Sequence, residues 1–180
     1  MKFNPLIPDS QYNQYHDWNI VHSPSLSLDW LRALLEIELP LKKSSNPAVL
    51  KLDESSLVLK LESDIGTLAV KHYHKYTLAK AISNTLGETL AKRSWRYAHH
   101  LLDQGFSTPE PLAYIEERRQ GLYWRSWYIN RFDESLNCDN YFLHSKVITP
   151  AMVNAVSEIV ELFIRLRVCQ LSHGDFKANN

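Results

Sequence analysis

The chain has 180 residues, and its 20 Lys+Arg balance 20 Asp+Glu for a formal net charge of zero, which argues against wholesale coating of nucleic acid and leaves room only for a local basic patch. Hydrophobic residues make up 44% and charged residues 22%, a composition that buries a core instead of staying disordered. Cys138 and Cys169 stand far apart in no metal-ligand spacing and read as reduced thiols. The N-terminus has no apolar stretch of the signal-peptide kind, and no apolar run reaches bilayer-spanning length. The expected location is the cytoplasm, with contact to a membrane surface left open.

Residues 1–25 are polar and aromatic and are expected to form an irregular arm. SLSLDWLRALLEIEL (25–39) reads as a helix, with Ser27 or Ser25 as cap and an apolar side of Trp30, Leu31, Leu34, Leu35 and Ile37. The period then changes. AVLKLDESSLVLKLE alternates on both sides of the polar turn Asp53-Glu54-Ser55-Ser56, a hairpin signal, and Gly66 opens a third strand, GTLAVKHYH. Three such strands need a helix on one face. That helix is expected over 78–102, where Leu90, Ala91, Trp95, Ala98, Leu101 and Leu102 recur at helical spacing, with a break or kink at Gly87 and a C-cap near Gly105.

Two further strands follow, PLAYIEE and the aromatic LYWRSWYINRF, and then the turn-rich DESLNCDN reads as a linker. Thr149 as N-cap and Pro150 at the first helical position open a long helix whose apolar face is Met152, Val156, Ile159, Phe163 and Leu166. It runs into SHGDFKANN (172–180), with no internal repeat or low-complexity segment anywhere in the chain.

A lysine on the third strand, a helix, two strands, a linker, a long helix and then His-x-Asp-x-x-x-x-Asn resembles the protein-kinase-like superfamily over residues 48–180. Three stretches resemble its lipopolysaccharide kinase branch: AVKHYH, the run RSWRYAHHLLDQGFSTPEPLAYIEER, and SHGDFKANN. The resemblance implies an α+β, kinase-like fold. Residues 1–47 are then an arm and helix, 48–132 an N-terminal lobe, and 133–180 the linker, long helix and catalytic loop of an incomplete C-terminal lobe. It further implies phosphoryl transfer from ATP, with Mg2+, to a sugar hydroxyl of a lipid-linked acceptor at the inner-membrane surface. Nucleic acid is not an expected partner.

The resemblance also assigns roles. Lys71 would hold the nucleotide phosphates. Asp175 would orient the acceptor hydroxyl, which suits a carboxylate because it accepts without donating. Lys177 would set a cation near the transferring phosphoryl group, and the Asn180 carbonyl would suit magnesium, a hard cation that takes oxygen ligands. His173 would brace the loop. Three features depart from the pattern. Asp53-Glu54-Ser55-Ser56 stands where a glycine-rich loop is expected. The carboxylate partner of Lys71 is open, since Glu88 is the sole acidic residue in 78–102 and Ser94 occupies the place before Trp95. The fold also needs a second acidic magnesium ligand on a later strand, so the chain is expected to be an N-terminal fragment that does not turn over by itself. A non-catalytic, pseudokinase-like nucleotide- or partner-binding remnant is the alternative.

Blander readings compete for other residues. His72 and His74 lie i,i+2 on a strand, and His99 and His100 are adjacent on a helix, so they read as ordinary surface or core residues in preference to a metal cluster. The Trp/Tyr-rich strand over 122–132 reads as packing in preference to a sugar platform.

Overall fold

A computed structural model describes residues 10–36, 49–74, 77–134, 141–142 and 147–171. The chain divides into two units, Met1–Phe132 and Asp133–Asn180.

The first unit is α+β. Its seven strands are β1 (Gln11–Tyr15), β2 (Trp18–His22), β3 (Val49–Leu52), β4 (Ser56–Ser63), β5 (Gly66–Tyr73), β6 (Pro111–Arg119) and β7 (Leu122–Arg131). They form one antiparallel sheet in the order β1-β2-β6-β7-β5-β4-β3. Three helices accompany it: α1 (Leu28–Glu36), α2 (Leu78–Leu86) and α3 (Leu90–Asp103).

Residues 10–22 are therefore not the irregular arm expected of them. They form a β-hairpin that extends the sheet, with Tyr15 paired to Trp18 across a turn at His16-Asp17. His16 takes the left-handed conformation there (φ 50°), a role that glycine or asparagine more often advertises. What fixes the hairpin is its inner strand: Ile20 and His22 are buried, and β2 pairs along its whole length with β6.

The alternation of side chains divides the core in two. One face carries Ile20, Leu57, Leu59, Leu68, Val70, Ala113, Ile115, Trp127 and Ile129, closed by Leu31 and Leu34 of α1. Ser27 caps that helix, its hydroxyl accepting from the Trp30 amide. The opposite face carries Tyr73, Tyr114, Tyr128 and Val21 against Leu90, Ala91 and Trp95 of α3. The segment expected as one helix with a possible break is two helices. Gly87 ends α2, and Thr77 and Thr89 cap α2 and α3 by accepting from the Lys80 and Lys92 amides. Thr85 ties α2 to β7, its hydroxyl accepting from the Tyr123 amide at 2.9 Å. At the far end of α3, Phe106 N–H donates to Leu101 and Gly105 N–H to Leu102, with Gly105 at φ 73°. That double bond is the Schellman termination.

In the second unit, α4 (Pro150–Val168) starts as expected, with the Thr149 hydroxyl accepting from the Met152 amide. Its C-terminus has the same double bond, Leu171 to Leu166 and Gln170 to Arg167, with Gln170 at φ 55°. The expected apolar face is covered in part: Leu166 is buried and Met152 and Ile159 are half-buried, while Val156 and Phe163 are exposed. No described helix is long and apolar enough to cross a membrane. Cys169 is a free, half-buried thiol, and Cys138 lies outside the described residues.

The β6–β7 turn offers a direct test of the sheet. Gln120 (φ 51°) and Gly121 (φ 80°) sit between the paired Arg119 and Leu122, the two-residue geometry in which both central residues are left-handed. A Cβ at Gly121 would meet no atom within 4 Å, so its cost is conformational alone. Gly121→Ala should lower stability by about 1 kcal/mol, and Gln120→Asn should raise it by a few tenths of a kcal/mol to about 1 kcal/mol. Urea midpoints with unchanged slopes are the check; equal midpoints for all three proteins would reject this turn geometry.

Candidate functional site

Lys71 lies in the middle of β5, and the register places it in a continuous row across six strands. Tyr12 pairs with Val21, Val21 with Tyr114, Tyr114 with Tyr128, Tyr128 with Lys71, and Lys71 with Val58. Because strand side chains alternate, this row belongs to the α3 side of the sheet. The ammonium of Lys71 lies 5.2 Å from the centre of the Tyr73 ring, within cation–π range. The side chain is half-buried, and among the described residues no carboxylate lies within ion-pair distance of it. Burial raises the Tyr114 and Tyr128 hydroxyls well above the usual phenol range, so both stay neutral donors at any ordinary pH.

The next row on the same face runs Asn19, Glu116, Ser126, Tyr73 and Ser56. Glu116 is buried, and the Thr89 hydroxyl donates to its Oε1 at 2.7 Å. Thr89 is itself fully buried and, as the cap of α3, accepts from the Lys92 amide. One hydroxyl therefore fixes both the start of the helix and the carboxyl beneath it. Nothing in the sequence marks Glu116, which reads as the polar end of a strand; the buried threonine cap gives it a partner only once the chain is folded.

The helix above supplies no acidic partner for Lys71. Glu88 accepts from Arg96 through both oxygens, at 2.7 and 3.3 Å, and lies 3.5 Å from Arg93. The hydrogen bond from Arg96 is the largest influence holding its carboxyl below the ordinary range. Ser94 meets the Tyr73 hydroxyl at 3.4 Å, not the lysine. Of the residues expected to carry chemistry, Lys71 is thus placed on a helix-covered sheet face, in one row with Tyr114 and Tyr128 and two strands from the buried Glu116. His173, Asp175, Lys177 and Asn180 lie outside the described residues.

The histidines and the aromatic strand are engaged in packing. His72 stacks on Trp127 (4.0 Å, 15°) and His99 meets the edge of Trp95. Trp127 and Ser126 are buried, while Trp124 is half-exposed. Among the described residues, no three His, Cys, Asp or Glu side chains converge in a way that would hold a metal. Comparison with family models, with curated proteins and with solved structures gives no match.

Glu116 makes the site testable through pH. Burial is the largest influence on its carboxyl and raises it above the ordinary 4.5, against the opposing hydrogen bond from Thr89. The folded state therefore holds the proton more tightly than the unfolded chain, and this contribution to stability is full below about pH 4.5 and lost as pH rises through the folded value. Glu116→Gln keeps an oxygen for the Thr89 hydroxyl and removes the ionisation. The variant should be more stable than the parent at pH 7, and the two should converge at low pH. Parallel stability–pH curves in chemical denaturation would refute the assignment.

Proposed function

We propose that the chain carries the nucleotide-anchoring lobe and catalytic loop of an ATP-dependent phosphotransferase of the lipopolysaccharide core-sugar kinase type. The observation that carries the proposal is the setting of Lys71. It stands at the centre of an antiparallel sheet, on the face that α3 covers, in the third strand of the β3-β4-β5 meander, with no described carboxylate engaging its ammonium. The strand order β3-β4-β5-β7-β6, with α2 and α3 joining β5 to β6, is compatible with a kinase-like N-terminal lobe.

In this reading the three donors of Lys71 go to phosphate oxygens of ATP. The acceptor hydroxyl attacks the γ-phosphorus: a new oxygen–phosphorus bond forms, the bond to the β,γ-bridging oxygen breaks, and ADP leaves. The hydroxyl proton passes toward the Asp175 carboxylate, which orients the attack. Lys177 offsets charge on the transferring group. Mg2+, held with help from the Asn180 carbonyl, would neutralise phosphate charge when bound. The acceptor would be a lipid-linked sugar met at the inner-membrane surface.

One observation favours a second reading, nucleotide or partner binding without transfer. Glu88 is committed to Arg93 and Arg96, so among the described residues the lysine has no partner for the ion pair that locks many kinases in their active form.

The two readings separate in one set of measurements. In the protein with a complete C-terminal lobe, nucleotide binding by calorimetry is paired with transfer from labelled ATP to a lipid-linked core-sugar acceptor. Lys71→Ala should lose transfer by orders of magnitude while keeping its fold, since one half-buried lysine on a strand contributes little stability. Asp175→Asn should still bind ATP while transfer falls by about 10²- to 10⁴-fold. Parental turnover in either variant would sink the catalytic assignment. ATP binding without transfer in the protein with a complete C-terminal lobe would select the second reading, and absence of both there would dismiss the two together.

A further inference from the structure

The sheet face opposite Lys71 holds a second constellation, built around Glu117. This carboxylate is 1% exposed and is gripped by two guanidinium groups. Arg125 donates to it through Nε at 2.6 Å and through a terminal nitrogen at 2.8 Å, a fork-on-fork pair. Arg119 also contacts Oε1. Arg125 lies in turn 5.2 and 5.6 Å from the ring centres of Trp18 and Trp127, which meet each other edge to face at 4.7 Å, so the guanidinium packs against this pair of indoles.

The cluster opens into a cavity of about 180 Å³ lined by His74, Glu117, Arg119, Trp124 and Arg125. Trp124 is held at its wall by a bond from its indole nitrogen to the Arg119 carbonyl at 3.3 Å. The two guanidinium groups carry one more positive charge than the single carboxylate removes. Glu117 uses one edge of Arg125 and leaves further N–H donors on both arginines without a partner in that pair. A second observation points the same way. Nδ1 of His74, on the cavity wall, is shielded from solvent and has no hydrogen-bond partner among the described residues, and both ring nitrogens of the adjacent His72 share that condition.

A buried carboxylate that only balanced charge would need one arginine. Here it positions two, beside an indole and an unmatched imidazole nitrogen. We propose that this cavity binds a small organic oxyanion, a phosphate monoester or a carboxylate, with the charged group on Arg119 and Arg125 and the organic part against Trp124. Glu117 is a positioning residue in this site: it holds the two guanidinium groups together at the cavity. The site lies on the far face of the sheet from Lys71 and is independent of the phosphotransferase reading.

The test uses the 180-residue chain at low ionic strength. Phenyl phosphate, benzoate and inorganic phosphate are titrated while the indole N–H signals are followed by NMR, with Trp124 assigned by the loss of one signal in Trp124→Phe. Phenyl phosphate or benzoate should shift the Trp124 signal saturably and leave that of Trp95, on the opposite face, unmoved. Arg119→Gln should weaken binding by about tenfold or more. It should fold normally, because its side chain is 57% exposed and Glu117 keeps Arg125. Trp124→Leu should weaken the two aromatic probes and spare inorganic phosphate. Preference for phenyl phosphate over benzoate would identify the phosphate source, and the reverse the carboxylate. Absence of saturable binding, binding unchanged in Arg119→Gln, or a shift at Trp95 in place of Trp124 would each overturn the proposal.

Discussion

The pairing of β5 with β7 is the constraint on which the first unit rests. Leu68–Tyr73 lies against Ser126–Arg131, two segments separated by α2, α3 and β6. On one side of this seam are β4 and β3, which a local meander can build. On the other are β6, β2 and β1. Without the seam there are two small sheets, each too short of partners to bury both of its faces. With it, Val70 and His72 on one face meet Ile129 and Trp127, and Lys71 on the other meets Tyr128. The crossover through α2 and α3 is what allows the seam, and the Thr85 hydroxyl and the Thr89 cap tie that crossover to β7 and β6.

Most of the architecture was legible because it is written in local signals. The meander announces itself by alternation around Asp53–Ser56, the α2–α3 break by Gly87, and α4 by Thr149-Pro150. The N-terminal hairpin was not, and the reason is specific. Its turn is His16-Asp17, without the glycine that normally marks a left-handed position, and its outer strand β1 is polar on both faces. Its inner strand β2 carries Ile20 toward one core face and Val21 toward the other, and these residues gain their meaning from Ile115 and Tyr114 across the sheet. A strand whose burial depends on a partner nearly a hundred positions away leaves little trace in its own neighbourhood.

The candidate site divides in the same way. Lys71 was legible as a residue because a cation in the middle of an apolar strand breaks the pattern around it. Its surroundings were not. Register alone brings Tyr114 and Tyr128 into its row and Glu116 into the next, and register is a property of the assembled sheet. The fate of Glu88 was equally hidden. A lone acid in an expected helix reads as a candidate partner for a strand lysine, yet Glu88 lies in the α2–α3 junction, before the Thr89 cap, and is held by Arg93 and Arg96 of the helix that follows.

Glu116 and Glu117 show how little a residue type says without its environment. They are neighbours in β6, both at most 4% exposed, and the chain neutralises them by different means. Glu116 receives one neutral hydroxyl, so burial prevails and its carboxyl moves toward the protonated form. Glu117 receives two guanidinium groups. An ion so held costs desolvation that its partners repay only while the geometry is kept, which makes Arg125, packed against Trp18 and Trp127, necessary to that end of the sheet. The two faces differ in polarity as a result. On the α3 face a cation stands without a described counter-charge, two strands from a carboxyl that resists ionising. On the other, positive charge is in excess around a buried carboxylate. Each arrangement leaves N–H donors to meet an anion, and it is the alternation of β6 that sends the two carboxyls to opposite sides.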